Sequence, residues 1–484
     1  MAKTLSLDPV TRIEGHLSIE TRVEGGKVTG AKVAGRMFRG FEQLLLGRHP
    51  VDAARITQRI CGICHEVHGI AASIALEDLY GLPPTENGHV LRDLILGLHL
   101  ATDHIFHFYQ LTLPDYLDFS LLRNYHGRDE RIAKLDRIIG SSPGTFGNQK
   151  IPDALSNAEL TAEMALGYTE AITIRKTAGS GLASLGGKVP FCHAILPGGV
   201  TTGVSSDKLM NYVNALEQVT DFVNRLYLPQ AKALANHFPH YFAVGRSHGN
   251  FYGNGGFTLL GEPLFTAGVL YNDGRAEPFR MNTIAELVDA TFLDDKGGIR
   301  PDKDGAYSWV KALQYAGEPM EVGPLARVAV NRDAGFVSLL KQFNQTVLRS
   351  SVMGRILARA YEAQKICSHL EKILPRFALD QPTINPPDML AKPDGTGRGM
   401  SLAARGALNH EVTARDGKVT GYRLQVPSAW NFGPTVNGRT GTVEQALLGT
   451  PVQPLKKKGD TANQSIETGR IVRSFDPCLA CAIH

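Results

Sequence analysis

Arg59-Ile60-Cys61-Gly62-Ile63-Cys64-His65-Glu66-Val67-His68-Gly69, taken with Asp476-Pro477-Cys478-Leu479-Ala480-Cys481-Ala482-Ile483-His484, decides the architecture. Each stretch carries one Cys-x-x-Cys pair, and 417 positions separate Cys61 from Cys478. If the four sulfurs meet, both ends of the chain converge on one buried point. Four thiolates at one point make a soft-metal site. Two plainer readings compete. Zinc ribbons place their pairs within a few tens of residues, far closer than here. A redox disulfide needs one pair beside a helix N-terminus, not two. The remaining cysteines, Cys192 and Cys367, are isolated and read as small buried hydrophobes.

At 484 residues the chain exceeds the ~250–300 at which one core stops growing. Hydrophobic residues make up 43% and charged residues 20%, as in ordinary globular proteins. The net charge of +4 and the absence of a long basic run argue against nucleic-acid binding. Lys456-Lys457-Lys458 reads as a solvated loop. No apolar export segment follows Met1. The most apolar stretch, 91–113, is interrupted by Arg92, Asp93, Asp103 and three histidines, so it reads as a buried helix. Membrane contact is expected only through a partner.

Leu17, Ile19 and Val23 alternate with polar residues, Gly25-Gly26 supplies a turn, and 28–33 returns as a second strand. From Gly88 the pattern turns helical, with Leu91, Leu94, Ile95, Leu98, Ala101 and Ile105 on one stripe. Helical patterns follow at 157–185, 206–238 and 335–374. Residues 292–305 read as a surface excursion, 381–399 as a Pro/Gly-rich helix breaker, and 453–467 as a polar surface loop. Strand signals return at 412–426 around Asp416-Gly417. The expected fold is α+β and predominantly helical. A central bundle of long helices carries small peripheral β-sheets, and the N- and C-terminal segments converge on a buried metal site. Residues 1–484 are expected to form one intertwined unit: a β-rich part (1–87), a helical core (88–374) with excursions near 239–330, and a β-containing part (375–484).

The context of both pairs is informative. It includes Asp8-Pro9-Val10-Thr11-Arg12-Ile13-Glu14-Gly15-His16, Phe38-Arg39-Gly40-Phe41-Glu42, residues 107–109, Pro197-Gly198-Gly199-Val200, Arg405-Gly406-Ala407-Leu408 and Val426-Pro427-Ser428-Ala429-Trp430-Asn431. Together these resemble the large, catalytic subunit of nickel-iron hydrogenases, with a general likeness to respiratory, uptake-type enzymes. Ala404 stands where many relatives have proline, and the 253–304 region is comparatively short.

The resemblance implies reversible heterolytic cleavage of dihydrogen at a Ni-Fe centre. Cys61 and Cys478 would be terminal nickel ligands. Cys64 and Cys481 would bridge nickel to an iron that carries CO and cyanide ligands. Arg405 and Ser428 match the donors to cyanide, Asp103 and Asp476 match the acidic partners of Arg405, and His68 matches a donor to a bridging thiolate. Glu42, the backbone carbonyl of Leu424 and His484 match the ligands of a magnesium-like ion, whose hardness suits oxygen donors. Glu14 matches the first proton relay, and Cys478 or Arg405 the first proton acceptor. Ile63 and Leu111 match the narrowing of a gas channel. Family precursors lose a C-terminal extension behind this histidine, so an end at His484 looks like the mature, processed form. Cys478 is cysteine, not the selenocysteine of one family branch.

Without the resemblance, each residue has a plainer reading. His68 would be a core histidine, the Arg405–Asp103–Asp476 group a structural ion cluster, Glu14 a strand-end salt bridge, and Ile63 and Leu111 core packing. The two spare cysteines cannot hold an iron–sulfur cluster, which wants four thiolates. An iron-sulfur small subunit is therefore the expected partner, in a heterodimer or a dimer of heterodimers. The expected location is periplasmic or membrane-associated through that partner, with the cytoplasm as the alternative. Two rivals remain: the related core subunit of respiratory complex I, which lacks the four cysteines, and a structural zinc scaffold.

Overall fold

The computed structural model describes residues 2–141, 151, 153–452 and 465–484. Most of the 453–467 loop expected from sequence lies outside the described residues, and Ser465 already caps a helix.

The N-terminal strands β1 (Lys3–Leu7), β2 (Leu17–Glu24) and β3 (Lys27–Gly35) form an antiparallel meander. Gly25 and Gly26 take φ of 58° and 76°, the left-handed pair that a tight two-residue hairpin turn requires. Leu17, Ile19 and Val33 are buried beneath it. The first Cys pair leads into α1 (His65–Tyr80). Thus residues 1–87 carry their sheet at 3–35 and turn helical from Phe41 onward.

Helix α2 (Glu86–Phe106) is capped by Thr85, whose hydroxyl accepts from Gly88 N–H, and is buried on nearly every side. It runs on through one wide turn at His107–Thr112. Helix α3 (Ala158–Gly186) packs on α2 and on α4 (Ser206–Phe222). Helix α6 (Val352–Ile373) packs on α2 and on α5 (Leu228–His237). Glycines set the closest approaches: a Cβ on Gly97 would meet Leu370 Cδ2 at 2.5 Å, and one on Gly181 would meet the Ala215 Cβ at 2.6 Å. Among the described residues no helix is long and apolar enough to cross a membrane.

The helical pattern at 335–374 is two helices, not one. Ala334–Lys341 ends, the chain turns at Asn344 (φ 58°), and Ser351 caps α6 by accepting from Gly354 N–H. Nor is 206–238 one regular helix: a wide turn at Val223–Tyr227 relaxes the path before Pro229.

In the C-terminal part, β4 (Gly395–Ala403), β5 (Gly406–Arg415) and β6 (Lys418–Gln425) form a second antiparallel meander. The stretch expected to be irregular up to 399 is therefore already a strand from Gly395. Its glycines serve contact with α1: a Cβ on Gly399 would lie 2.2 Å from Ala71 O, and one on Gly397 2.1 Å from Ala75 O. The sheet's backbone thus lies directly on α1. That contact fixes the first Cys pair relative to β4–β6.

Candidate metal centre

The ends of the chain meet. Cys61 Sγ lies 3.4 Å from Cys478 Sγ, Cys64 Sγ 3.2 Å from Cys481 Sγ, and Cys478 Sγ 2.9 Å from Cys481 Sγ. All four sulfurs lie within 4.8 Å of one another, all are buried, and none is in a disulfide. The tail is held by a single parallel backbone bridge between Glu14 and Cys478. Glu14 N–H donates to Pro477 O at 3.2 Å, and Leu479 N–H donates to Glu14 O at 2.7 Å. Gly15 (φ 80°) permits this contact, since a Cβ there would sit 2.5 Å from Ala480 N. Farther along, Arg39 N–H donates to Ile483 O at 3.0 Å.

Four buried sulfurs this close can all be ionised only around a cation, and soft thiolates select a soft divalent ion. Burial opposes charge on each sulfur. The Cys61 thiol is nevertheless held well below its ordinary value by hydrogen bonds from Cys478, Cys481 and Cys64. Cys64 is pushed up, first by its contact with Cys478, and Cys478 and Cys481 are pushed up, first by burial.

A small closed pocket adjoins Cys64, Cys478 and Cys481. Val67, Ala403, Leu408 and Pro427 give it apolar walls, and Arg405 and Ser428 give it polar ones. Arg405 lies in the tight turn between β4 and β5. Its Nη1 donates to Asp103 Oδ2 at 2.9 Å, and its Nη2 lies 3.1 Å from Asp476 Oδ1. Its Nε has no hydrogen-bond partner among the described residues. Burial disfavours the guanidinium charge, but Asp103, Asp476 and the Cys478 and Cys64 sulfurs hold it well above its ordinary pKa. Ser428 Oγ accepts from Cys478 N–H at 2.9 Å, which frees the hydroxyl proton for another acceptor. A dry pocket with a free guanidinium N–H and a free hydroxyl fits small anionic ligands beside the sulfurs.

His68 Nε2 lies 3.5 Å from Cys481 Sγ. Burial lowers its pKa to about 4, so the imidazole is neutral. The Glu14 carboxyl is raised above its ordinary value by burial, then by the Cys61 charge. Ile63 is half-buried against the core, and Leu111 is buried.

At the tail, His484 Nε2 lies 3.4 Å from Glu42 Oε1 and has no hydrogen-bond partner among the described residues. His484 Nδ1 meets Cys481 O at 2.6 Å. Leu424 reaches this group through its N–H, which donates to Glu42 Oε1 at 2.9 Å. Lys311 Nζ pairs with Glu42 Oε2 at 2.8 Å and with Glu286 Oε2 at 3.2 Å. Burial works against the Glu42 carboxylate, yet His484 and Lys311 bring its pKa down to about 2. A carboxylate facing an unpartnered imidazole nitrogen suits a hard cation between them.

Several functional neighbours are invisible to sequence reasoning. Arg327 Nη1 donates to Ala403 O (3.1 Å) and Gly406 O (3.4 Å), the carbonyls on either side of the Arg405 turn. Glu362 grips Arg327 with both oxygens (2.7 and 2.5 Å) and also meets His104 Nε2 at 2.9 Å. Arg359 Nη1 donates to Ser474 O at 2.6 Å, just ahead of Asp476. One signal points to Arg359 and Glu362: they follow Arg355 at steps of four and three, which puts three charged residues on one buried face of this helix.

Comparison with known proteins agrees with this geometry. The family model described as nickel-dependent hydrogenase matches residues 39–150 and 142–484. The large subunit of the periplasmic NiFeSe hydrogenase of Desulfomicrobium baculatum is 35% identical over 512 residues, covering 99% of this chain and 94% of that protein. The hydrogenase-2 large chain of Escherichia coli K12 is 29% identical, covering 100% and 97%. The reduced Ni-Fe-Se hydrogenase from D. vulgaris Hildenborough superposes with a TM-score of 0.87 at 34% identity, covering 100% of both chains.

Proposed function

The chain belongs to the nickel-dependent hydrogenase family and is a hydrogenase catalytic large subunit; on that premise we propose how its residues divide the work of cleaving dihydrogen. The observation that carries the proposal is the meeting of four buried sulfurs from the two ends of the chain. Cys61, Cys64, Cys478 and Cys481 would hold the Ni-Fe centre, Cys61 and Cys478 at the nickel and Cys64 and Cys481 at both metals. The pocket beside Cys64 and Cys481 would take the CO and cyanide ligands of the iron, with Arg405 Nε and the Ser428 hydroxyl as donors. When bound, the pair of metals supplies the Lewis acid that polarises dihydrogen and the redox centre that takes its electrons.

The chain's own residues manage the proton. Arg405 stays charged between Asp103 and Asp476, so it polarises and positions and does not act as the base. Cys478 is the first acceptor. Glu14, bridged to Cys478 through the backbone and raised in pKa by burial, takes the proton onward. The apolar contacts of Ile63 and Leu111 suit a narrow route for a small gas. Glu42 and His484, with Leu424 beside them, would hold a magnesium ion and so fix the tail.

Electrons leave to an iron-sulfur small subunit in a heterodimer, a reading supported by relatives named as large subunits or chains. A periplasmic setting follows the name of the Desulfomicrobium relative. We read the chain as a single intertwined catalytic unit around a central helical bundle, because the site draws on both termini at once.

Metal analysis with infrared spectroscopy tests the whole assignment. One nickel and one iron per chain, with carbon monoxide and cyanide bands, is the expected result. Zinc alone would overturn it.

A further inference from the structure

Behind the Cys481 sulfur, a line of hydrogen-bonding side chains runs into the C-terminal sheet. His68 Nε2 lies 3.5 Å from Cys481 Sγ, His68 Nδ1 lies 3.1 Å from His410 Nε2, and His410 Nδ1 lies 2.8 Å from the Tyr422 hydroxyl. The three side chains come from three elements: α1, β5 and β6. All are buried, with 1%, 0% and 4% of their surfaces exposed. The His410 and Tyr422 rings meet edge to face at 79°, which locks both orientations.

The direction of this line is fixed by its inner end. A metal-bound thiolate only accepts, so His68 Nε2 carries the proton. A neutral imidazole has one N–H and one acceptor nitrogen. His68 Nδ1 therefore accepts, and His410 Nε2 must be the donor. His410 Nδ1 in turn accepts, and the Tyr422 hydroxyl donates to it. All three protons then point toward the sulfur. The Tyr422 hydroxyl has no other hydrogen-bond partner among the described residues, so its buried proton holds His410 to this tautomer. Without it, only the pull of the thiolate opposes the reversed line, in which His410 carries its proton on Nδ1 and His68 withdraws its donor from Cys481.

We propose that His410 and Tyr422 are positioning residues that orient His68 as a donor to the Cys481 thiolate and so draw electron density off the metal-bridging sulfur. The proposal rests on the Ni-Fe reading above for the identity of the bridged metals. It adds two residues outside the expected site.

Infrared spectra of the assembled enzyme test it, with metal content measured in parallel. Tyr422→Phe and His410→Leu should move the carbon monoxide and cyanide bands to lower wavenumber while nickel and iron stay bound. His410→Gln keeps an amide N–H for His68 and a carbonyl for Tyr422, so it should return the bands toward the parent. Unmoved bands in both Tyr422→Phe and His410→Leu would overturn the proposal. So would equal shifts in His410→Gln and His410→Leu, which mark a packing effect, or loss of metal in Tyr422→Phe. A parent enzyme without such bands would instead refute the cofactor reading. A neutron map then decides the donor line alone: deuterons on Nε2 of both histidines support it, and one on His68 Nδ1 overturns it.

Discussion

Glu14→Gln keeps the shape of the carboxyl and removes its capacity to carry a proton. General acid–base groups contribute about 10²–10⁴-fold to rate, so turnover and hydrogen–deuterium exchange should fall by that order. Nickel and iron content should not change, and full activity would refute the relay. Cys478→Ser replaces a soft sulfur with a hard oxygen at the position proposed as metal ligand and proton acceptor, and turnover should vanish. Arg405→Lys exchanges a planar fork for a point charge. Lysine can satisfy Asp103 or Asp476 but not span both, since the two lie on different Nη atoms of the arginine. Catalysis should slow greatly with the metals retained; loss of both metals would mark Arg405 as a folding residue.

The elements around the site hold it by buried charge and by close backbone contact. Glu362 on α6 joins Arg327, which clasps the Arg405 turn, to His104, the neighbour of Asp103 on α2. Burial opposes the Glu362 carboxylate, but Arg327 and His104 bring its pKa down to about 2 from an ordinary 4.5. Its stabilising contribution is therefore full above pH 4.5 and is lost as pH falls toward 2. Glu362→Gln should cost about 3–5 kcal/mol at neutral pH and flatten the acid limb of thermal stability, measured by calorimetry across pH. Gly399→Ala should cost about 1–3 kcal/mol in urea unfolding, because its Cβ would strike Ala71 O and Ala75 N in α1. These contacts also explain what sequence can and cannot reveal. The β2–β3 hairpin and α2 follow from local period and turn chemistry. Strand β4 does not, because its glycines serve a distant helix and read locally as breakers. The gap between Ala334–Lys341 and α6 is hidden by apolar residues that continue a helical period through the break. Arg327, Glu362 and His410 find their partners across tens to hundreds of positions, where periodicity carries no signal.

Over the whole molecule, the cysteine spacing and its context make the site legible from residue order alone, because four thiols of matched spacing have few other uses. The tail shows what residue order lacks. The closeness of Lys311 to Glu42, and the cradle of Glu14, Gly15 and Arg39 around residues 477–483, depend on the completed fold. His484→Ala removes one face of the Glu42 group and the contact to Cys481 O. Metal content should fall and the nickel should become accessible to chelators, read by elemental analysis after dialysis.

The meeting of Cys61 with Cys478 across 417 positions makes the bound metal a covalent-like staple on a very long loop. By the chain-entropy logarithm, closing such a loop restricts the unfolded chain by about 6 kcal/mol. The same geometry means that a single protease cut on an exposed stretch between the two motifs would yield two fragments tied together at the centre. Two separately made polypeptides, one ending and one beginning at such a cut, could then in principle rebuild one working site between them.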